Sequence, residues 1–409
     1  MKEFLKVLKI KNYRYLFVSQ ALSGVIINML SFLILLRLFD DTGSSIATSL
    51  LWVTYSIPAL VVGPFASAFA DLVDRRKVLM ISNFSQAMVI LFYAFFPGNK
   101  FFISYAVVFL YSFFNQFYVP AESATLPSVV PKNYLTSANG IFFLSNQLSF
   151  ILGFGIAGLL YELLGFRPSL ILSSFGLFSA FICVSLLPSN KSIKKQFGKF
   201  EVEIREFFER IIEGYLFIKN HNAVLYPILL LVSVQVISAV LMINLPVLAT
   251  NVLNVPPARA GVMVVAPAGI GALIGTMFVS KFASKGIRKR KVIDMGLIGM
   301  ALILLSLSFI VPHLPMIIKT FSSLLLFGLF GGMFVLVIIP AMTFMQEATP
   351  GGLMGRVFGN FWFLSTMFTI LPVIFSGTIS EVLSVNVLLS IIATFCIVAY
   401  IFSNKLIKI

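Results

Sequence analysis

Runs of about 20 mostly apolar residues recur along this chain, and only short polar breaks separate them. A helix that crosses the roughly 30 Å hydrocarbon layer of a membrane needs a run of this length. Only 11% of the residues are charged, whereas soluble globular chains carry about a quarter. Lipid is therefore the main solvent, and the sequence predicts an all-α integral membrane protein.

Twelve such runs can be drawn, which predicts twelve transmembrane helices. Prolines within several of them are compatible with membrane helices, because neighbouring groups satisfy the freed carbonyls. The predicted spans are residues 14–38, 46–70, 78–97, 101–126, 136–163, 168–188, 223–249, 260–281, 291–311, 316–344, 354–378 and 385–403.

The positions of the basic residues predict the orientation. If the N-terminus is inside, the cytoplasmic segments hold 25 of the 30 Lys and Arg residues, as the cytoplasmic loops of membrane proteins do. Both termini are therefore expected in the cytoplasm, in a multi-pass protein of the plasma or inner membrane. This topology and anionic lipid headgroups account for the net charge of +15. Membrane lipid, rather than nucleic acid, is the expected partner of these residues.

The longest polar stretch lies between the sixth and seventh spans. It predicts an N-terminal six-helix bundle at 1–188, a cytoplasmic linker at 189–222 and a C-terminal six-helix bundle at 223–409. Apolar residues recur at helical spacing from Phe200 to Tyr215, and charged residues fill much of the remainder. This pattern predicts an amphipathic helix that lies either along the inner membrane surface or against the bundle.

The two halves of the chain share motifs at matching places. "VPAESATLPSVVP" ends the fourth span and "IPAMTFMQEATP" the tenth, while "DRRKVLM" follows the second span and "RKRKVIDM" the eighth. Matching positions are separated by about half of the chain, so we expect two pseudo-symmetric six-helix repeats.

Two six-helix repeats joined by a cytoplasmic linker resemble the major facilitator superfamily. The segment "SAFADLVDRRK" is similar to that family's signature after the second helix, with Ser67 at the usual Gly, Asp71 at the Asp, and Arg75 and Arg76 at the basic pair. Two positions depart from it, since Leu72 replaces a basic residue and Asp74 replaces a Gly. One of the family's ion pairs is therefore expected to be absent or rewired.

The resemblance implies a conformational latch at the inner surface. Asp71 would lie near the start of the eleventh helix, around Arg356, where a carboxylate faces the positive helix end. Arg75 and Arg76 would pair with Asp71 or with Glu122. Alternatively, the two arginines only fix the orientation of the chain in the membrane.

Further segments narrow the resemblance. Two segments look like those of the bacterial macrolide and multidrug efflux branch, namely "PAESATLPSVVPKNYLTSANG" and "GGLMGRVFGNFWF". A third segment, "LGFGIAGLL", is similar to the glycine-rich signature of drug:proton antiporters. Phe154 stands in it where that signature usually has Pro. Gly153, Gly155 and Gly158 there permit close helix packing; control of leak or of exchange direction is the alternative. "GIGALIG" in the eighth span also predicts a sealed helix interface.

In this superfamily the first, fourth, seventh and tenth helices line the cavity, so their polar residues are candidates for substrate binding. Interhelical hydrogen bonding is the alternative role for each of them. The candidates are Gln20, Asn28, Asn115, Gln116, Gln235 and Asn244.

The resemblance implies proton coupling, and Asp40 or Asp41 beside Arg37 is the candidate proton carrier, with solvated loop charges as the alternative. Few ionisable residues lie in the middle of the predicted spans. An uncharged centre favours a bulky apolar or amphiphilic substrate.

These observations predict a monomeric secondary transporter that exports hydrophobic or amphiphilic small molecules, similar to drugs or macrolides, by alternating access. Transport of lysophospholipids or siderophores is one alternative, and a transporter-like receptor or sensor is another. The sequence predicts no enzyme, because no nucleophile with a base, no metal-ligand spacing and no phosphate-binding loop can be assembled. It also predicts no cofactor and no bound metal.

Overall fold

The computed structural model describes residues 6–63, 65–66, 69, 73–96, 100–131, 134–188, 200–350 and 353–406. Within these residues the chain is almost entirely helical and contains no strand. Ten helices are long and apolar enough to cross a membrane. Two shorter apolar helices, Ser45–Val61 and Val385–Ile401, lie at the other two predicted spans. The prediction of an all-α protein with twelve apolar spans is confirmed.

The first six spans are helices α1 to α6, and the linker contains a seventh helix. In chain order they are α1 Lys11–Thr42, α2 Ser45–Val61, α3 Arg75–Phe95, α4 Lys100–Val129, α5 Leu135–Leu164, α6 Phe166–Ser185 and α7 Phe200–Asn220.

The last six spans follow the linker helix. They are α8 Asn222–Ile243, α9 Ala266–Ser284, α10 Lys289–Leu305, α11 Met316–Ala348, α12 Met354–Val382 and α13 Val385–Leu406. Short π-helical or 3₁₀ turns extend three of them, namely Leu248–Leu253 after α8, Pro257–Arg259 and Gly261–Val265 before α9, and Ser306–Ile310 and Val311–His313 after α10.

The chain packs as two compact units. Unit 1 consists of residues 1–41 and 54–207, and unit 2 of residues 42–53 and 208–409. Helix α2 therefore begins in unit 2 and ends in unit 1.

Specific contacts with α12 place the first turn of α2 in unit 2. Glu381 Oε2 accepts hydrogen bonds from Ser44 Oγ at 2.7 Å and from the Ile46 backbone N–H at 3.1 Å. These donors belong to the start of α2, where N–H groups have no partner within the helix. A Cβ atom on Gly377 would overlap Ser49 Oγ, so the missing side chain permits this close approach.

In unit 1, an apolar cluster packs α1, α3, α4 and α5 together. Tyr13, Leu16, Leu79 and Ala121 are completely buried in it. The Tyr13 hydroxyl donates to the Ala138 carbonyl oxygen at 3.3 Å, which satisfies its polar group within the cluster.

In unit 2, helices α9 and α11 meet along a seam of glycines. Cβ atoms on Gly271 and Gly331 would overlap the carbonyl oxygens of Gly328 and Ala268, respectively. A Cβ on Gly275 would lie 2.8 Å from the Gly332 carbonyl oxygen. The prediction that "GIGALIG" seals a helix interface is therefore confirmed.

Candidate functional site

Unit 1 buries a cluster of polar side chains that links three helices. We call Ser19 and Ser23 of α1, Asn83 of α3, and Tyr118 and Glu122 of α4 the polar cluster. The two serines are four residues apart, as are Tyr118 and Glu122, so each pair lies on one face of its helix. All five side chains are at least nine-tenths buried.

Hydrogen bonds connect the cluster from α3 to α4. Ser23 Oγ donates to Asn83 Oδ1 at 2.9 Å, and Asn83 Nδ2 donates to Ser19 Oγ at 3.3 Å. The hydroxyl oxygens of Ser19 and Tyr118 are 3.4 Å apart. The Tyr118 side chain also lies close to the side chains of Ser23 and Glu122. Polar groups in a membrane protein thus find partners inside the bundle.

Glu122 ends this network with one acceptor unused. Its side chain is 8% exposed, and its Oε1 atom has no hydrogen-bond partner among the described residues. Burying a carboxylate without a compensating positive charge is costly. A proton or the cationic group of a bound molecule could provide that compensation.

Gln20, the first predicted binding residue, lies beside the cluster on α1. Its Nε2 atom donates to Asn146 Oδ1 of α5 at 2.8 Å. Gln20 is 2% exposed, and its Oε1 atom has no hydrogen-bond partner in the described part of the chain. Gln20 therefore gives unit 1 a second buried acceptor without a hydrogen-bond partner among the residues described.

Asn28, the other candidate on α1, bonds within its own helix: its Nδ2 atom donates to the Gly24 carbonyl oxygen at 2.8 Å.

The other two candidates in unit 1 lie one turn before the cluster on α4. Asn115 is hydrogen-bonded to the Tyr55 side chain of α2. Gln116 Nε2 donates to the Ser112 carbonyl oxygen at 3.3 Å. Both side chains are half-buried.

The two candidates in unit 2 differ in their surroundings. Asn244 is 1% exposed; its Nδ2 atom donates to Ser376 Oγ at 3.0 Å and to the Val240 carbonyl oxygen at 2.9 Å. Its Oδ1 atom accepts from Ser380 Oγ at 2.8 Å. Asn244 therefore joins α8 to α12, whereas Gln235 is half-buried on α8.

The residues of the predicted latch are only partly described. Asp71 lies outside the described residues, so its contact with the start of α12 stays a prediction. Arg75 donates to the Ala124 carbonyl oxygen at 2.7 Å, and Arg76 donates to the Ser185 carbonyl oxygen. The Glu122 side chain lies beside Tyr118.

Asp74, which departs from the family signature, has a structural role. Its side chain caps the first turn of α3 by accepting from the Arg76 backbone N–H at 3.0 Å. A glycine could not supply this cap, because it has no side-chain acceptor.

The predicted proton carriers are exposed at the end of α1. Asp41 forms an ion pair with Arg37 Nε at 2.9 Å. Asp40 Oδ2 accepts from the Tyr161 hydroxyl of α5 at 2.6 Å. Both carboxylates thus have partners at the protein surface.

The three glycines of α5 have different surroundings. A Cβ atom on Gly153 would lie 2.6 Å from Asn28 Cβ and 2.8 Å from the Val25 carbonyl oxygen of α1. Among the described residues, no atom beyond the neighbouring residues and backbone of α5 itself lies within 4 Å of the corresponding position at Gly155, and Gly158 is buried. Close helix packing therefore requires a glycine at 153 but not at 155.

Most of the polar cluster lies outside the residues predicted from the sequence. The candidates were large polar residues on four helices, a set that excludes Asn83 on α3 and the serines that flank Gln20. The helical spacing of Ser19, Ser23 and Gln20 could have indicated them, and so could Asn83 and Gln86, which are one turn apart.

Comparison with known proteins identifies the family. The family model of the Major Facilitator Superfamily matches residues 16–371. Macrolide efflux protein A of Streptococcus pyogenes is 26% identical over 182 residues, which cover 44% of this chain and 45% of that protein. BacE of Bacillus subtilis, described as a bacilysin exporter, is 27% identical over 278 residues, 66% of each chain.

The matched segments span only 35 to 45% of the length of three curated relatives, namely macrolide efflux protein A and the Bacillus subtilis proteins YjbB and YkuC. Among solved structures, a bacterial homologue of the human lysosomal transporter Spinster superposes with a TM-score of 0.77. It shares 13% sequence identity, and the superposition covers 97% of each chain. At this identity the likeness concerns the fold alone. The family match over most of the chain shows that this protein belongs to the Major Facilitator Superfamily, and its apolar helices make it a multi-pass membrane protein.

Proposed function

We propose that this transporter exports amphiphilic small molecules by alternating access, in exchange for protons. Two relatives are named for efflux or export, which supports an outward direction. The observation that carries the proposal is the chemistry of the polar cluster. It offers hydroxyl and amide groups and one carboxylate, Glu122, with an unused oxygen.

This chemistry suits a substrate with an apolar body and a cationic or hydrogen-bond-donating group. The unused Oε1 atoms of Gln20 and Glu122 are acceptors, so they would bind donors rather than anions. A charge-assisted hydrogen bond to the carboxylate would contribute about 1.5–3 kcal/mol. The proposed substrate is therefore a cationic amphiphile.

Glu122 is also a better candidate for the proton carrier than Asp40 or Asp41. The two aspartates are exposed at a helix end, where protonation would change little in their surroundings. Glu122 is buried about seven residues, or roughly 10 Å of helix, from the end of α4. Exchange of a proton for a cationic substrate at one carboxylate would couple the two movements.

We also propose that the protein works as a monomer in the plasma membrane, with both termini in the cytoplasm. The excess of Lys and Arg in the predicted inner segments supports this orientation. Labelling of single cysteines in intact cells, with thiol reagents that either cross the membrane or do not, would test it. Labelling of the linker from outside would contradict it.

Substrate flux tests the proposed function. Purified protein in proteoliposomes would be given an imposed pH gradient and a matched pair of amphiphiles, one with a tertiary amine and one with a neutral amide. Gradient-driven accumulation of the amine compound, abolished by a protonophore, is the expected result. Lysophospholipid transfer with no movement of either amphiphile would support lipid transport instead. Binding without flux would support a receptor.

A further inference from the structure

The second half of the linker helix α7 packs against α12 within unit 2. Arg356 of α12 forms an ion pair with Glu213 of α7. Asn360 Nδ2 donates to the carbonyl oxygen of Ile211 at 3.0 Å. A Cβ atom on Gly214 would overlap Asn360 Nδ2. The two helices are therefore in direct contact, which a larger residue at 214 would prevent.

Three faces can be distinguished on residues 209 and 211–220 of α7 when successive positions are placed about 100° apart around the helix. The bundle face contains Ile211 and Gly214, which contact α12, and Ile218; Gly214 and Ile218 are buried. About 120° from it lies an apolar face formed by Ile212, Tyr215 and Leu216, with Lys219 at its end.

The third face is polar, and Phe217, whose ring stacks on His221, lies between it and the bundle face. This polar face contains Glu209, Glu213 and Asn220, all exposed, and its centre lies about 90° from that of the apolar face. A helix that lies along a membrane surface beside a bundle needs these three faces, one each for protein, lipid and water.

The apolar face is exposed in the isolated protein. Ile212 is 56% exposed, Tyr215 45% and Leu216 49%. The helix ends at Asn220, and only His221 separates it from the first residue of the membrane span α8. This face therefore lies next to the edge of the lipid layer.

We propose that the apolar face of α7 inserts into the lipid surface of the membrane leaflet at the start of α8. Ile212, Tyr215 and Leu216 would enter the boundary between headgroups and acyl chains. Lys219 would pair with anionic headgroups, as basic residues on interfacial helices do. Because the bundle face contacts the first turns of α12, α7 would connect the lipid surface to that helix.

Spin labels at single cysteines test this placement. Cys183→Ser and Cys396→Ala would remove the native thiols, and labels would be placed at 212 and 215 on the apolar face and at 209 and 220 on the polar face. The protein would be reconstituted in vesicles of phosphatidylcholine and phosphatidylglycerol. Collisions with dissolved oxygen and with a water-soluble nickel chelate would then be measured.

We expect labels at 212 and 215 to collide mainly with oxygen, and those at 209 and 220 mainly with the nickel chelate. Equal nickel accessibility at all four sites would overturn the proposal, because the apolar face would then be in water. Immobile labels at 212 and 215 that neither reagent reaches would also overturn it and would indicate contact with a second copy.

A second measurement does not depend on the cysteine substitutions. Ile212→Trp and Glu209→Trp, each in the protein with its native cysteines, add one indole to Trp52 and Trp362. Brominated lipid should quench the added emission of I212W but not that of E209W. Equal quenching of the two added indoles would contradict insertion of one face.

Discussion

Two buried polar sites, the one around Asn244 in unit 2 and the one around Gln20 and Glu122 in unit 1, differ in how fully their hydrogen bonds are made. In unit 2, each polar atom of the Asn244 side chain is paired, with Ser376, Ser380 and the Val240 carbonyl. In unit 1, buried acceptors on Gln20 and Glu122 have no hydrogen-bond partner in the described part of the chain. A saturated cluster stabilises helix packing, whereas a cluster with unused acceptors can also bind a ligand.

The packing of glycines between helices also differs between the two units. The seam between α9 and α11 in unit 2 brings backbone against backbone at Gly271 and Gly331. In unit 1, α5 approaches α1 closely at Gly153 mainly through the Asn28 side chain and the Val25 carbonyl oxygen, and Gly155 faces open space. The interior of unit 2 should therefore tolerate fewer substitutions.

The largest expected effect is on transport and comes from Glu122→Gln. Removal of the carboxylate deletes a charge-assisted interaction of about 1.5–3 kcal/mol, so flux of the cationic amphiphile should fall about 10- to 100-fold. Dependence on the pH gradient should disappear with it. Proteoliposome flux at equal protein content is the measurement.

Glu381→Gln provides the matched control, because the Glu381 carboxylate already accepts from Ser44 and Ile46. It should retain its dependence on the pH gradient. If E122Q and E381Q behaved alike, the distinction between paired and unused carboxylates would have no functional meaning.

Gly331→Ala should lower stability and so test the glycine seam. The added methyl group would overlap the Ala268 carbonyl oxygen, so α9 and α11 must separate. The expected cost is about 1–3 kcal/mol, as for other overpacked cores. Thermal unfolding in detergent would measure it. Gly155→Ala, at an open position, should leave the unfolding temperature unchanged, and a similar loss in both variants would argue against a specific seam.

Asn244→Ala should have the smallest effect. Loss of its bonds to Ser376 and Ser380 should reduce the free energy of unfolding by about 0.6–1.7 kcal/mol, as for other interhelical hydrogen bonds in membranes. Flux per folded molecule should remain near that of the parent protein. A strong decrease in substrate affinity would instead indicate that Asn244 binds the substrate.

The sequence alone determined the membrane environment, the number of apolar spans and the family. These follow from local properties, because a span needs only its own length of apolar residues and the family motifs are contiguous. The amphipathic character of the linker helix could be predicted for the same reason.

Only the tertiary structure decided which polar residues are saturated. In the sequence, Gln20 and Asn244 are both single amides within apolar runs. In the structure, the Gln20 side-chain oxygen has no hydrogen-bond partner among the described residues, whereas the Asn244 side-chain oxygen accepts from Ser380. The difference depends on which side chains a neighbouring helix presents, as Ser376 and Ser380 do to Asn244. Those residues are more than 130 positions away in the chain, so no local pattern reveals them.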